Sequence, residues 1–399
     1  MDRAEFLKKC AILGAGAPLM SMLLSSCKKD DLFEVFDVNF SGKVLVIGAG
    51  AAGLTAGYLL KRYDIDFEIL EASPIFGGRL QRTTNFADFP IDLGAEWIHT
   101  HPRILSQLIS DTSVTDSIEF IPYSPNTMYS WNNGKLNPNN WASNFYSEYK
   151  FKRTTWFGFF EKYFLPSVED KLTYNAPVVS IDYSNDPIEV VDNNGNTHTG
   201  DKVLVTVPVK MLQNEYIDFT PSLPDEKVSA INKIDMPDGI KVFMEFSEKF
   251  YPDLLVVGPF LSALNEDSRI YFDAAFRKDS SQNILGLFSV GEPASAYTSL
   301  PTEQAIIDKI LAELDEMFDG KASETYVKHM VWNWSNQPFI QGSYTNDVSG
   351  NYNRTIKRLA RSVNDKLFFA GEATSVDNTA TVHGAALSSY DAVKEILKG

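Results

Sequence analysis

The chain has 399 residues, of which 22% are charged and 44% are hydrophobic, a balance that excludes a disordered or fibrous protein. Its formal net charge of −16 argues against nucleic-acid binding, because phosphate contacts need clustered lysine and arginine. The length exceeds one ordinary domain, so we expect two domains or one elaborated α/β unit.

Residues 1–27 have the pattern of an export signal. A short charged start is followed by an apolar stretch, Ala11 to Leu24, which contains Pro18. This stretch suits a signal peptide better than a membrane span, because it is short and interrupted by proline. The charged start also resembles a twin-arginine signal in which Ala4 replaces the second arginine, so the export route stays open.

The ending Leu24-Ser-Ser-Cys27 resembles a bacterial lipobox, in which the cysteine is lipidated and becomes the mature N-terminus. We therefore predict an exported protein of the bacterial envelope, anchored to a membrane through Cys27, with residues 28–40 as the tether. The alternative is an ordinary signal peptide with a chance cysteine. Because Cys10 and Cys27 are the only cysteines, we expect neither a disulfide nor a metal site in the folded part.

A glycine-rich turn lies between a predicted strand and a predicted helix. The apolar run Lys43–Ile47 precedes Gly48-Ala-Gly50-Ala-Ala52-Gly53, and a helical pattern follows from Leu54 to Arg62. In this arrangement the first glycine makes the tight turn, the second admits a pyrophosphate, and the third allows close helix packing. The helix N-terminus then faces the phosphates with its positive dipole end. The segment predicts a dinucleotide site.

Two further elements strengthen that prediction. The strand Phe67–Leu70 ends at Glu71, where a carboxylate can accept hydrogen bonds from ribose hydroxyls. Next, Gly77-Gly78-Arg79 offers a second backbone approach to phosphate and a cation to neutralise it. Nicotinamide enzymes do not need this second element.

The run from Lys43 to His99, which includes Asp92-Leu-Gly94-Ala95-Glu96-Trp97-Ile-His99, resembles the flavin-dependent amine oxidases. That family includes monoamine oxidases, polyamine oxidases and histone lysine demethylases. The resemblance implies an α/β fold with a Rossmann-like FAD-binding domain and a discontinuous α+β substrate domain. It assigns cofactor contacts to Gly48, Gly50, Ala52, Gly53, Glu71, Gly78, Arg79, Gly94, Ala95, Glu96 and Trp97. FAD is expected to be noncovalent, since the folded part has no cysteine for a thioether link.

Later blocks follow the family's order. They assign Val178 to the adenine contact, Trp334 to a segment that approaches the flavin, and Glu372 to the ribityl chain. Thr381 and Val382 belong to the last flavin segment, where Thr381 replaces an aromatic residue found in many amine oxidases. One wall of the usual aromatic cage is therefore expected to be missing.

These blocks imply a discontinuous organisation. We predict an FAD-binding domain from residues 41–105, 170–215 and 355–399, with a substrate domain from 106–169 and 216–354. Alternating apolar residues predict strands at Val203–Val207 and Ile240–Phe246, and the pattern from Thr302 to Phe318 predicts an amphipathic helix. The aromatic-rich stretch 120–164 could line an amine tunnel, but core packing is favoured for any single residue.

The resemblance also implies a reaction. A hydride equivalent moves from the carbon next to an amine to flavin N5, water hydrolyses the imine, and O2 is the expected acceptor, giving H2O2. Lys241 matches the lysine that holds a water against N5, and His99 resembles the polyamine oxidase histidine that contacts substrate. The predicted substrate is a small-molecule polyamine or another primary or secondary amine.

Two alternatives remain open. An L-amino-acid oxidase of the same superfamily usually carries an arginine just after Asp-Leu-Gly, where this chain has Ala95-Glu96-Trp97. A protein that binds FAD without turnover is the second, and Lys241 counts against it. Neither the amine nor the oligomeric state follows from the sequence.

Overall fold

The computed structural model describes residues 37–139, 148–259 and 269–399. The predicted export signal, the lipidation site Cys27 and most of the tether lie outside the described residues. Within those three ranges no helix has both the length and the apolar character needed to cross a membrane.

The described residues form strands and helices with the following bounds. The strands are β1 (Lys43–Ile47), β2 (Asp66–Leu70), β3 (Arg82–Thr83), β4 (Ile91–Asp92), β5 (Phe120–Tyr123), β6 (Met128–Asn132), β7 (Lys135–Pro138), β8 (Glu148–Phe151), β9 (Leu172–Thr173), β10 (Val178–Asp182), β11 (Ile188–Asp192), β12 (Thr197–Gly200), β13 (Lys202–Val205), β14 (Asp218–Thr220), β15 (Ile234–Asp235), β16 (Gly239–Phe246), β17 (Leu254–Val257), β18 (Arg269–Asp273), β19 (Asn283–Val290), β20 (Tyr326–Asn333), β21 (Asp347–Val348) and β22 (Leu367–Phe369). The helices are α1 (Ala51–Arg62), α2 (Arg103–Ile109), α3 (Ser113–Asp116), α4 (Trp156–Tyr163), α5 (Leu165–Val168), α6 (Val209–Gln213), α7 (Asp225–Ile231), α8 (Glu292–Thr298), α9 (Glu303–Met317), α10 (Lys321–Thr325), α11 (Tyr352–Ala360) and α12 (Val382–Lys398).

The first sheet is parallel and has the strand order β22-β13-β1-β2-β9. Side chains alternate across a strand, so β1 contributes to two cores. Val44 and Val46 pack with residues of α1 and α12, whereas Leu45 and Ile47 pack with the neighbouring four-stranded sheet. Burial on both faces explains the nearly continuous apolar run that predicted this strand.

The four-stranded sheet has the order β12-β11-β10-β14. Strand β14 runs parallel to β10, with Ile181 beside Phe219. Strand β14 (Asp218–Thr220) thus joins this sheet from just beyond residue 215, the predicted end of that segment of the FAD-binding domain. Its pairing with a strand far away in the chain is not reported by the local sequence pattern.

The third sheet has seven strands in the order β20-β16-β19-β18-β17-β6-β7. Its central strand β16 sends Ile240, Val242 and Met244 into a core that includes α9. The opposite face of the same strand carries Phe243 into a core shared with the loop that contains Phe89 and Leu93. The odd-numbered residues of β16, which include Lys241, therefore face the loop that contains Phe89 and Leu93.

The aromatic-rich stretch divides between two parts of the molecule. Strands β6 and β7 join the seven-stranded sheet, whereas α4 and α5 pack into the core around α1. The buried aromatic residues that pack there are Phe151, Trp156, Phe157, Phe159, Phe160 and Phe164. These rings serve core packing, and part of the segment 106–169 belongs structurally with the parallel sheet.

Several local predictions are confirmed. The observed β13, β16 and α9 cover the strands and the helix predicted near residues 203, 240 and 302. Helix α1 starts at Ala51, three residues before the predicted Leu54, because the glycine-rich turn itself contributes its first turn.

Candidate functional site

The glycine-rich turn leaves a bare backbone at the N-terminus of α1. Gly48 has φ +102°, and a Cβ on Gly53 would lie 1.8 Å from the Gly48 carbonyl oxygen, so both positions need glycine. A Cβ on Gly50 would meet nothing closer than the Gly77 carbonyl oxygen at 3.9 Å. No side chain caps the helix here, and Ala52 lies buried in its first turn. The turn can therefore accept an anion at close range.

Glu71 lies at the end of β2, beside this turn. Its two oxygens accept hydrogen bonds from the Ala49 amide at 2.7 Å and the Ser73 amide at 2.8 Å. Burial raises the pKa of its carboxyl group, and these amide hydrogen bonds oppose the rise. The Glu71 carbonyl oxygen accepts from the Ala176 amide, which brings Val178 to the same edge. The predicted ribose and adenine contacts thus lie together.

Arg79 and Glu372, which are far apart in sequence, form an ion pair with Nη1 and Oε1 2.9 Å apart. Arg79 Nη1 also donates to the Ser343 carbonyl oxygen at 3.1 Å, and Glu372 Oε2 accepts from the Ala380 amide at 3.0 Å. Gly78, with φ +56°, lies against Gly50, since its Cβ would come within 3.5 Å of the Gly50 Cα. The fold therefore joins the second phosphate element to the first and to the C-terminal segment.

The loop after β4 packs against Trp334. A Cβ on Gly94 would lie 1.7 Å from the Arg79 carbonyl oxygen and 3.0 Å from the Trp334 ring. The Trp334 indole Nε1 donates to the Leu93 carbonyl oxygen at 2.9 Å, and the Ala95 amide donates to the Arg79 carbonyl oxygen at 3.4 Å. Gly94, Ala95 and Trp334 thus hold this loop against Arg79.

Thr381 is the N-cap of α12. Its hydroxyl accepts from the Gly384 amide at 2.9 Å and donates to the Asn378 carbonyl oxygen at 2.8 Å. Val382 is buried in the core around α1. The Thr381 side chain therefore fixes the start of α12.

Lys241, which the resemblance implies is the active-site lysine, lies buried against the loop from Asp92 to Trp97. It is 1% exposed, and its Nζ donates to Glu96 Oε2 at 2.6 Å and to the Asp92 carbonyl oxygen at 3.0 Å. The other oxygen of Glu96 pairs with Lys150, which is 3% exposed. Burial opposes the charge on Glu96, but Lys150 and Lys241 prevail and lower the pKa of its carboxyl group to about 2.

Aromatic rings surround this ion cluster. Trp97 lies edge-on to Phe272 at 4.9 Å between ring centroids, and the Lys241 Nζ is 5.5 Å from the Trp97 ring. Directly opposite Lys241 in the sheet stand Phe288 on β19 and Trp332 on β20. The Phe288 ring in turn stacks on Tyr344 at 6.3 Å. The surroundings are apolar and suit a desolvated reaction.

His99 pairs with Glu148, a residue that sequence reasoning missed. The His99 Nδ1 and Glu148 Oε2 are 3.1 Å apart. Burial opposes the imidazolium, but the Glu148 carboxylate prevails and raises the pKa of His99. Nearby, burial and the charge of His99 lower the pKa of His383 to about 3, so His383 is neutral at physiological pH.

Two more ionisable groups, the buried Asp92 and the partly buried Lys278, complete the cluster. Burial and the neighbouring Glu96 carboxylate raise the pKa of Asp92 to about 8. Burial and the positive charge of Lys150 lower the pKa of Lys278 to about 8, and its Nζ donates to the Phe151 carbonyl oxygen at 2.6 Å. Perturbed ionisable groups concentrate at functional sites, which supports this region as the reaction centre.

Sequence reasoning missed Glu148, Lys150 and the aromatic partners Phe272, Phe288 and Trp332. The signal for the first two was present as charged residues at alternate positions of a short strand within an aromatic-rich stretch. Their partners lie in distant segments, so spacing alone could not identify their roles.

The residues fit an FAD on observations of their own. The open backbone at Gly50 admits a phosphate, and Glu71 keeps acceptor capacity for ribose hydroxyls. Among the described residues, the buried indole Nε1 atoms of Trp97 and Trp332 have no hydrogen-bond partner. Buried donors without partners are rare in proteins, and a polar cofactor edge or a water would satisfy them.

The parallel sheet, its glycine-rich turn and the Glu71 carboxylate at the end of β2 together define a dinucleotide-binding class of protein. The family profile "NAD(P)-binding Rossmann-like domain" matches residues 46–111, and the profile "Flavin containing amine oxidoreductase" matches residues 161–397. The second match covers more than half of the chain. The chain belongs to the family of flavin containing amine oxidoreductases, and its cofactor is FAD.

Curated relatives agree with this family. The chain is 30% identical over 223 residues to a lysine-specific histone demethylase 1B of Mus musculus, covering 55% of this chain and 27% of that protein. It is 30% identical over 227 residues to polyamine oxidase 4 of Oryza sativa subsp. japonica, covering 56% and 45%. With polyamine oxidase 1 of Zea mays the identity is 28% over 230 residues, covering 58% and 46%. The chain thus spans less than half the length of these relatives.

Proposed function

We propose that this protein oxidises a polyamine, or another primary or secondary amine, to an imine. The carbon next to nitrogen loses a hydride equivalent and the nitrogen loses a proton. Water then converts the imine to a carbonyl compound and a released amine or ammonia. FAD, when bound, supplies the two-electron acceptor at its N5, and O2 takes the electrons and two protons to give H2O2.

The observation that carries this proposal is the placement of Lys241. A buried ammonium stands on the face of the seven-stranded sheet that meets the loop of predicted flavin contacts, Gly94 to Trp97. Burying a charged lysine costs free energy unless the fold gains a function or a partner from it. Relatives named polyamine oxidases support a polyamine among the candidate substrates.

The chain's own residues have three roles in this scheme. Aromatic walls exclude water, which favours loss of the ammonium proton from an amine whose ordinary pKa is about 10.4. Lys241 holds a water, as the family resemblance implies, for imine hydrolysis or reoxidation. Glu148 and His99 offer polar contacts to the amine, with the carboxylate favouring a cation near this pair.

Anaerobic mixing tests the proposal. The flavin-loaded chain is mixed without oxygen with polyamines, monoamines or amino acids, and flavin absorbance is followed. Bleaching by an amine, with peroxide formed when air returns, supports amine oxidation. Bleaching by amino acids alone identifies the L-amino-acid oxidase alternative. A yellow protein that none of them reduces contradicts both oxidase proposals and leaves an FAD-binding protein without turnover.

We also propose that the protein is exported and anchored to a bacterial membrane through a lipid on Cys27. The apolar stretch Ala11 to Leu24 and the ending Leu24-Ser-Ser-Cys27 support this proposal. Among the described residues, the Asn39 amide donates to the Leu397 carbonyl oxygen at 2.8 Å, so the last residues of the proposed tether lie beside the C-terminal end of α12. Fractionation of cells that express wild type or Cys27→Ser tests the anchor, since the variant should leave the membrane fraction. Continued membrane association of the variant contradicts it.

A further inference from the structure

One buried carboxylate lies between two buried ammonium groups. Glu96 Oε2 accepts from Lys241 Nζ at 2.6 Å, and Glu96 Oε1 pairs with Lys150 Nζ. The Lys150 Nζ lies 4.9 Å from the Phe272 ring centroid, 5.0 Å from that of Tyr123 and 5.3 Å from that of Trp97. Lys150 comes from β8, which local pattern did not connect with the flavin site.

The neighbouring ionisable groups do not balance this second positive charge. With its pKa at about 8, Asp92 is mostly protonated at neutral pH, so Glu96 is the carboxylate that carries charge. Lys278 adds a further amine rather than an anion. The ionisable groups that contact Lys150 or interact with its charge are Glu96, Tyr123 and Lys278, while Asp92 and Lys241 adjoin the same Glu96 carboxylate. Together they leave an excess of buried positive charge.

An unbalanced buried charge is costly, and packed apolar residues often replace buried ion pairs without loss of stability. A methionine would fill the space between the same rings without any charge. Stability therefore does not explain why β8 carries a lysine at this place. A functional reason is the better account, because perturbed charges accumulate at reacting centres.

We propose that Lys150 is a positioning residue for Lys241: it holds the second oxygen of Glu96 and adds a buried positive charge beside the flavin site. This inference rests on the proposed function, since it concerns the lysine assigned to the flavin reaction. Because Lys150 holds Glu96 Oε1, the carboxylate keeps its Oε2 toward Lys241. The added charge also favours negative charge that develops when oxygen accepts electrons.

The test compares Lys150→Met with Lys150→Arg in the full-length, flavin-loaded chain. The first readout needs no amine. It is the pH midpoint of the absorbance change that accompanies ionisation of the bound flavin. A positive charge nearby favours the anionic form of an ionising group, so loss of Lys150 should raise this midpoint by about one to two pH units. The arginine variant keeps the charge, and we expect it to retain the wild-type midpoint.

A second readout is reoxidation of enzyme reduced with dithionite and mixed with O2. We expect Lys150→Met to slow this step about tenfold or more, with recovery in Lys150→Arg. The matched control is Lys202→Met, because Lys202 is also buried between aromatic rings, Phe40 and Phe368, and paired with a carboxylate, but lies at another site. That variant should keep both the midpoint and the rate.

An unchanged midpoint and rate in folded Lys150→Met would overturn the inference, as would an arginine variant that behaves like the methionine one. If Lys150→Met unfolds or loses flavin, Lys150→Gln repeats the test with a polar, uncharged side chain. Neither readout requires an amine. If amines fail to reduce the wild-type flavin while its pH midpoint still depends on Lys150, that result contradicts the proposed function but not the inference about Lys150.

Discussion

Lys227 and Lys241 are both almost completely buried, at 2% and 1% exposure, yet the fold satisfies them differently. The Lys227 Nζ donates to the backbone carbonyl oxygens of Leu359, at 2.8 Å, and Arg361. These carbonyls lie at the C-terminal end of α11, where a positive charge is favoured by the helix dipole. Lys241 instead uses the Glu96 side chain, a partner that it shares with Lys150.

This difference separates two uses of a buried lysine. At α11 the lysine completes the hydrogen bonding of a helix end, so its role is fulfilled within the folded protein. At Glu96 the two lysines exceed the available carboxylate charge, so the cluster stays electrostatically incomplete. We expect substitutions at the first place to change stability, and substitutions at the second to change chemistry.

The largest expected effect is that of Lys241→Met. Reoxidation of the reduced enzyme by O2 should fall by about 100-fold or more, while flavin stays bound, because general acid–base groups contribute roughly 10²–10⁴ in rate. Stopped-flow absorbance measures this rate. Lys227→Met is the control and should keep the rate per flavin-loaded molecule. Equal losses in both variants would show that burial alone, and not position, explains the effect.

Next in size is the effect of Glu96→Gln on stability. Removing this carboxylate leaves two buried ammonium groups unpaired, so the free energy of unfolding should fall by about 3–5 kcal/mol. The control, Glu226→Gln, removes a 46%-exposed carboxylate that pairs with Arg361 near α11, and should cost about 0–1 kcal/mol. Urea denaturation of the two variants measures both. A small loss in Glu96→Gln would contradict the incomplete balance that we assign to the cluster.

Lys227 should make stability depend on pH. Burial and the charge of Arg361 lower its pKa in the folded state to about 7, below the ordinary value near 10.4. Between these values the unfolded chain binds the proton and the folded chain does not, so stability rises with pH. Relative to Lys227→Met, wild type should gain about 2 kcal/mol of stability between pH 7 and pH 9, measured by denaturation at each pH. A constant difference would argue that the helix-end carbonyls keep Lys227 charged.

The smallest effect is expected for Glu148→Gln, because the His99–Glu148 pair is partly exposed. Loss of the carboxylate should lower the pKa of His99, which NMR titration of the imidazole reports. Amine-dependent flavin reduction should change by less than about fivefold. A far larger loss of rate, without a shift of the His99 titration, would assign Glu148 a direct role at the substrate.

The dinucleotide-binding segment was predictable because the sequence features that identify it are neighbours in the chain. A buried strand, a turn that needs glycine at Gly48 and Gly53, and a helix follow one another in the chain, so their order carries the geometry. Lys241 was singled out through the family block around it, and its role in the reaction stays a prediction. By contrast, β14 pairs with β10 across the predicted domain boundary at residue 215, and no local signal reports a pairing between segments so far apart in the chain.

The sequence by itself determined the α/β fold class, the FAD turn and the candidate lysine, because each depends on neighbouring residues with a fixed period or spacing. Only the tertiary structure decided which charges meet. Glu96, Lys150 and Lys241 come from a loop and two strands of different sheets, and their pairing depends on how those sheets pack. Burial then makes each charge depend on the others, because a low-dielectric interior strengthens every interaction between them.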